Sequence, residues 1–326
     1  MIFQTKSMSI NFKEKKVQIG TIDTENKTFE ITTCTKIANL VDSIKKIGLI
    51  NYPILIRNNK SFIVVSGFRR IAACRSIGWL YITARILDSD TDHPTCIKIA
   101  IAENTMQRPL NLVEQAKSLN LLSNHVDTDK HLIQVASEFG LPDNHVLINK
   151  IKQICFLDPL IQKCILNEII SLSVALLLSK IEPDAAIEFA VVFEQLKLSL
   201  SKQREIISLV EEIAIREGTG MINVLRNDFL KETLSDNDFD RNKKAQRIRY
   251  YLKRRRFPEI IKAEKEFAQH VKALKLESGM KLVPPKNFEG GLFTLSISFK
   301  NIIELNKSKE LIDKIIQNQA LSKILC

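Results

Sequence analysis

The stretch Ser66-Gly67-Phe68-Arg69-Arg70-Ile71-Ala72-Ala73 is where residue types and spacing most clearly suggest chemistry. An apolar run, Phe62-Ile63-Val64-Val65, leads into it, and a short helical run ending at Gly78 leads out. Glycine lets a backbone approach a ligand closely, free N–H groups at a helix start attract anions, and a guanidinium grips phosphate through two parallel hydrogen bonds. Gly67, Arg69 and Arg70 therefore make a candidate anion cradle. Taken alone, the octapeptide fits a surface turn with two solvated arginines equally well.

A second constellation lies in the middle of the chain. A helix over 131–139 carrying the small Ala136, a turn at Gly140-Leu141-Pro142-Asp143-Asn144, and a helix over 145–154 carrying Val146 suit a helix-turn-helix. An ordinary helical hairpin in a bundle is the competing reading. In a helix-turn-helix, Asn144, His145 and Asn149 reach base edges at the start of the second helix, and Lys150 and Lys152 touch phosphates.

The third is electrostatic. The net charge is +11, and residues 241–256 hold nine basic residues and no acid, leaving +2 for the rest of the chain. Charge so concentrated points to an acidic polymer, most simply nucleic acid. Arg247, Arg249, Lys253, Arg254, Arg255 and Arg256 are its candidate contacts, and Tyr250 and Tyr251 would stack on bases of a single strand. The alternative is a solvated helix packed through Ala245, Ile248 and Leu252, but nine uncompensated charges on one helix would repel one another.

Other chemistries find little support. Six cysteines and five histidines are scattered without metal-ligand spacing, so no zinc site is expected. The longest apolar stretch, around 174–178, is far too short for a membrane span. No apolar leader follows Lys6, and a cytoplasmic protein is expected.

The elements that must position these residues follow from periodicity. The first 20 residues read as a mobile arm or an edge strand, and 27–32 alternate like a strand. Apolar residues at 37, 40, 41, 44 and 47 predict a helix stopped by Gly48. Residues 53–57 and 61–66 predict a hairpin, 81–87 a strand, and 95–104 a helix. Asn111 with Glu114 three positions on predicts a capped helix to about 122. Helices broken at Pro159, Pro183 and Gly218 continue to 232. A linker at 235–238 precedes a long helix over 243–276, interrupted near Pro258. Residues 292–299 predict a strand and 308–324 a last helix. The chain is thus α+β, with an α/β domain over 20–108, an all-helical middle domain over 109–232, and a basic helix with a small α+β unit over 241–326.

In order along the chain, several pieces resemble the ParB-type DNA partition proteins and the wider ParB/sulfiredoxin superfamily. Leu40-Val41-Asp42-Ser43-Ile44 with Gly48 and Pro53 looks like that family's opening helix and strand. Gly67-Phe68-Arg69-Arg70 looks like its Gly-Glu-Arg-Arg box, and Glu103-Asn104 with Arg108 like its Glu-Asn-x-x-Arg box. Leu110-Asn111, Glu114-Gln115-Ala116, the helix-turn-helix, Leu157-Asp158-Pro159 and Leu172-Ser173 follow in order, so the likeness covers about residues 30–180.

The resemblance implies a CTP-binding first domain, a helix-turn-helix domain on double-stranded DNA, a homodimer associated with nucleoid or plasmid, and a partition ATPase as a further partner. By position, Gly67, Arg69, Arg70 and Arg108 would hold the triphosphate, and Glu103 and Asn104 would lie at its Mg2+. Two departures qualify this. Phe68 replaces the box glutamate and accepts no hydrogen bond, which argues against efficient CTP turnover and leaves at most a weak CTPase. Arg108 falls one residue late, with Gln107 at the expected place. The sulfiredoxin branch fits less well, since Phe68 stands where its cysteine belongs. A nucleotide hydrolase or nuclease on the same fold, or a transcription regulator without nucleotide, are the alternatives.

Overall fold

The computed structural model describes residues 10–126 and 128–325. The first nine residues of the expected arm, and Cys326 among the cysteines, lie outside the described residues. The chain divides into two compact units, Met1–Glu194 and Gln195–Cys326.

The first unit begins with β1 (Phe12–Gln18), β2 (Ile22–Asp23), α1 (Ala38–Ile47), β3 (Ile54–Asn58), β4 (Ser61–Ser66), α2 (Phe68–Ile77), β5 (Tyr81–Leu87) and α3 (His93–Thr105). The strands form one mixed sheet in the order β1-β5-β3-β4-β2. β1 runs antiparallel to β5 along an edge, β3 and β4 form the predicted hairpin, and β3 lies parallel to β5. Asn59 makes the hairpin turn at φ 51, a conformation asparagine tolerates. Val17, Ile22, Leu55, Val64, Ile82 and Ala84 of the sheet pack with Ile44 of α1 and Ile71 and Cys74 of α2.

Residues 27–32 form no strand. Their alternation is real, since Phe29 and Ile31 are buried, but the segment is a loop without a ladder partner. Its continuation is held instead by Thr33 N–H donating to the Glu114 carboxylate. Burial with period two does not require a sheet neighbour.

The helical part comprises α4 (Leu112–Ser123), α5 (Asp129–Glu138), α6 (His145–Lys152), α7 (Pro159–Leu166), α8 (Leu172–Leu178) and α9 (Pro183–Leu196). α4 is its hub, in contact with α3, α5, α6 and α7. The expected capping box is present, with Asn111 accepting from Glu114 N–H and the Glu114 side chain accepting from Asn111 N–H. Thr128, Asn144 and Asp158 cap α5, α6 and α7, each side chain accepting from a first-turn N–H. Gly140 turns between α5 and α6 at φ 66, and Ala136 is fully buried. Val146 differs from expectation. It is exposed, because a helix starting at His145 turns Ile148 and Ile151 inward, three residues apart.

The second unit holds α10 (Leu200–Glu217), α11 (Met221–Leu225), α12 (Asp228–Ser235), α13 (Arg241–Arg256), α14 (Pro258–Leu274), β6 (Met280–Val283), β7 (Thr294–Ile297), α15 (Ile302–Ile316) and α16 (Gln319–Leu325). Pro258 separates α13 from α14, as its missing N–H dictates. β6, unforeseen in the sequence, pairs antiparallel with β7. The last helix is two helices. Asn318 breaks it by accepting from Ala320 N–H at the start of α16, a side-chain cap that competes with helix continuation.

Candidate functional site

β4 delivers the cradle through a register shift. Ile54 pairs with Ser66 but Leu55 with Val64, so Val65 is an extra residue in a bulge just before Gly67. Gly67 then takes the left-handed conformation, φ 99, and α2 begins at Phe68. A Cβ at Gly67 would sit 2.8 Å from the Pro53 Cβ, so the position excludes any side chain. Gly67 thus packs its backbone closely against Pro53 at the start of α2.

The two arginines that follow are differently engaged. Arg70 is nearly buried. Its Nη1 donates to the carbonyls of Asn51 and Tyr52 at 3.1 Å each, and its Nη2 lies 3.4 Å from both Ser66 Oγ and Glu103 Oε2. Burial lowers its pKa, and Glu103 opposes that shift. Arg70 therefore braces the segment leading into β3 against the end of β4. Arg69 donates one Nη2 bond to the Lys36 carbonyl at 2.6 Å, while its Nε is buried with no acceptor. A buried donor without a partner is unusual enough to require a ligand or water. Arg69 is the arginine with hydrogen-bonding capacity left over.

Gly67, Arg69, Arg70, Asn104 and Arg108 line one cavity of ≈ 220 Å³, joined by Phe29, Asn51, Phe68 and Gln107. Glu103 does not line it and acts through Arg70. Asn104 donates its Nδ2 to the Ala100 carbonyl at 2.7 Å. Phe68 carries the Lys27 ammonium 5.0 Å from its ring centroid, in place of any acceptor.

Arg108 is clamped to α4. Its Nη1 and Nη2 donate to Glu114 Oε2 and Oε1 at 2.7 Å each, a bidentate pair that raises the Arg108 pKa. Glu114 is wholly buried and also accepts from Thr33 N, Thr33 Oγ1 and Asn111 N. Burial alone would raise its pKa, yet the donors from Arg108, Thr33 and Asn111 outweigh it and hold the carboxyl below its usual range. Sequence reasoning found Glu114 as a helix cap only. That Thr33 and Arg108 converge on it is a tertiary fact with no local signal.

α6 leaves His145, Asn149 and Lys150 exposed. His145 Nε2 lies 2.7 Å from Asp129 Oδ2 and 3.0 Å from Asn149 Nδ2. Asn144 spends its Oδ1 on the Leu147 N–H as the helix cap. Lys152 is half-buried at the end of α6.

In the second unit four of the nine charges of α13 are compensated. Glu205 of α10 binds Arg249 and Lys253, Glu212 binds Arg256, and Glu217 binds Arg255. Ala245, Ile248 and Leu252 are buried between these pairs, so α13 packs on α10 through apolar residues flanked by salt bridges. Arg247 lies over Phe239 at 4.3 Å, and Tyr251 stacks on Phe229 at 4.3 Å while donating to Asn227 Oδ1. Tyr251 is thus a packing residue, whereas Tyr250 is exposed. Acidic partners from distant sequence are what the local charge count missed.

Among the described residues no group of three histidine, cysteine or acidic side chains converges to hold a metal, and no helix is long and apolar enough to cross a membrane. The buried thiols are poor nucleophiles, with burial pushing Cys96 up to about 11.

Comparison with known proteins gives four matches. Residues 5–105 match the ParB N-terminal domain. A probable chromosome-partitioning protein ParB from Campylobacter jejuni is 33% identical over 110 residues, covering 33% of this chain and 38% of that protein. The match thus spans less than half the length of that relative. A C-terminally truncated ParB from Caulobacter crescentus complexed with CTP-gamma-S is 17% identical, with a TM-score of 0.27 over 56% of this chain and 98% of that one. The same protein complexed to the centromeric parS site is 16% identical, with a TM-score of 0.33 over 58% and 96%.

Proposed function

With a ParB N-terminal domain over residues 5–105 as the premise, we propose that this chain is a nucleotide-responsive DNA-binding protein of the partition type. Its first domain takes CTP, and its helix-turn-helix takes double-stranded DNA. The observation that carries the nucleotide half is Arg69. It lines the cavity at the start of α2, its Nε is a buried donor without a partner, and the left-handed Gly67 stands beside it. Anionic oxygens at that point meet the free N–H groups of the first α2 turn, the helix dipole and the Arg69 guanidinium together.

Each residue then has a role. Arg69 grips phosphate, while Arg70 and Arg108 hold the cavity walls through their own carbonyl and carboxylate partners. The donor set does not fit a Mg2+ brought by the nucleotide, an ion that typically takes one or two protein carboxylate ligands beside phosphate oxygens. Glu103 lies outside the cavity lining and is paired with Arg70, while of the two positions only Asn104 lines it. Phe68 supplies no group to orient a water, which supports holding the nucleotide over hydrolysing it.

On the DNA side, His145 and Asn149 face outward for base edges, with Lys150 for phosphate. In α13, Arg254 is the exposed arginine of the final run without a carboxylate partner among the described residues, and it supplements non-specific affinity. The proposed assembly is a homodimer on nucleoid or plasmid DNA, with a partition ATPase as a further partner.

Calorimetric titration of CTP with Mg2+ into the wild type and Arg69→Ala, with and without genomic DNA fragments, tests the reading. Micromolar heat in the wild type, lost at least tenfold in Arg69→Ala, is expected. No heat at millimolar CTP would turn the reading toward a DNA-binding regulator without nucleotide.

A further inference from the structure

A second and larger cleft, ≈ 780 Å³, shares Thr32, Phe68 and Arg69 with the cradle cavity but extends elsewhere. It follows one face of α2, where Phe68, Ala72 and Arg75 recur at helical spacing, and reaches Lys117 of α4 and Lys163 and Leu166 of α7. Ala72 is exposed and small, so the space between Phe68 and Arg75 stays open. The volume falls within the roughly 300–1,000 Å³ typical of small-molecule sites.

Its electrostatics are one-sided. Five cationic side chains line it, against Glu25 and Glu30. Lys27 pairs with Glu30 at 3.4 Å and Lys163 with Glu194 at 3.3 Å. Arg69, Arg75 and Lys117 have no carboxylate partner among the described residues. Arg69 and Arg75 donate to neutral oxygens, the Lys36 carbonyl and Thr24 Oγ1. With Arg69 engaged by the cradle nucleotide, the uncompensated Arg75 and Lys117 give the concave site a positive potential that a multiply charged anion would neutralise. Ile37, Phe68, Pro159 and Leu166 give the same cleft an apolar part, which bare phosphate would leave empty.

We infer that this cleft binds an organic polyphosphate of mononucleotide size, separate from the nucleotide in the cradle. Arg75 and Lys117 take its phosphates, and Phe68 offers a ring for its planar portion. The ligand spans α2, which packs on the sheet, and α4 and α7 of the helical layer, so it ties the two layers of the first unit together.

Fluorescence titration with mant-ATP, without CTP and again with excess CTP, tests this on the full chain. Tripolyphosphate serves as the arm lacking a planar body. The discriminating variants are Ala72→Phe, which fills the cleft from an exposed position outside the cradle lining, and Lys117→Ala, which removes one unpaired cation. Melting curves confirm that each folds. Expected results are saturable mant-ATP binding in the wild type, persisting under CTP, at least tenfold weaker in both variants, and at least tenfold weaker for tripolyphosphate. Three results would overturn the inference: no mant-ATP binding at millimolar concentration, binding unchanged in both folded variants, or complete competition by CTP. If CTP fails to bind at all, the response of the two variants to mant-ATP still decides the question.

Discussion

Replacing Glu114 by alanine removes the acceptor on which three segments of the first unit converge. The carboxylate is wholly buried and accepts five hydrogen bonds, two from Arg108, two from Thr33 and one from Asn111 N–H. Breaking a buried charge pair typically destabilises by about 3–5 kcal/mol. The Arg108 side chain is 43% exposed, so water can take over its guanidinium and the lower end applies. The N–H groups of Thr33 and Asn111 lose an acceptor as well, each typically worth about 1 kcal/mol or more if left unsatisfied. The expected loss is about 3 kcal/mol. Urea unfolding followed by Trp79, the chain's single tryptophan, reports on the first unit. With a slope of about 2 kcal/mol per molar urea, the midpoint should fall by roughly 1.5 M. A fall below about 0.5 M would refute the view that Glu114 is a structural clamp.

The same residue makes a pH prediction. The fold holds its carboxyl below the usual 4.5, so its contribution is present above the unfolded-state value and is lost as pH falls through the lower folded value. The gap in midpoint between wild type and Glu114→Ala should therefore narrow on acidification below about pH 4.5. A gap that stays constant down to pH 2 would mean that the carboxylate charge contributes nothing.

Gly67→Ala combines a left-handed backbone, φ 99, with a Cβ placed 2.8 Å from Pro53, and should lower stability by about 2–4 kcal/mol by thermal or urea melting. Arg70→Ala should lower stability by about 2 kcal/mol, because the Asn51 and Tyr52 carbonyls lose their donor. Arg69→Ala should change stability by less than about 1 kcal/mol; a larger loss than for Arg70→Ala would reverse the roles assigned here. The double change Glu205→Gln, Glu217→Gln frees Arg249, Lys253 and Arg255. Gel shifts across a salt series should then show tighter non-specific DNA binding and a steeper salt slope, by about 0.9 for each added phosphate contact.

The elements that position the cradle were legible because their signals are local. A hairpin with asparagines at its turn, glycines closing α1 and α2, and a capping box before α4 each act within a few residues. What escaped was decided by distant partners. Residues 27–32 alternate as a strand does, yet no strand lies alongside to complete the ladder. β6 is four residues long and identifiable only once β7 pairs with it. Asn318 divides the last helix through a cap bond, and asparagine elsewhere in a helix gives no such certainty. Glu114 looked like a cap and is one, but its larger role needs Thr33 from 81 residues upstream.

The arginines show why residue type alone assigns function poorly. Arg69 and Arg70 are adjacent in sequence and line the same cavity, yet Arg70 already serves two carbonyls while Arg69 keeps a buried donor unused. Arg108 lines it too, with both terminal nitrogens committed to Glu114. A ligand gains most from the group whose hydrogen bonds it completes, since breaking an existing internal bond offsets the new one. The same reasoning separates α13, where Glu205, Glu212 and Glu217 occupy four of the nine cations, from α2, where Arg69 and Arg75 meet only neutral acceptors. Local charge is densest on α13, but uncommitted donors in a concave site are found along α2. Anion binding at α2 should accordingly survive the loss of any α13 arginine. If Arg254→Ala weakened CTP binding tenfold, that separation would fail.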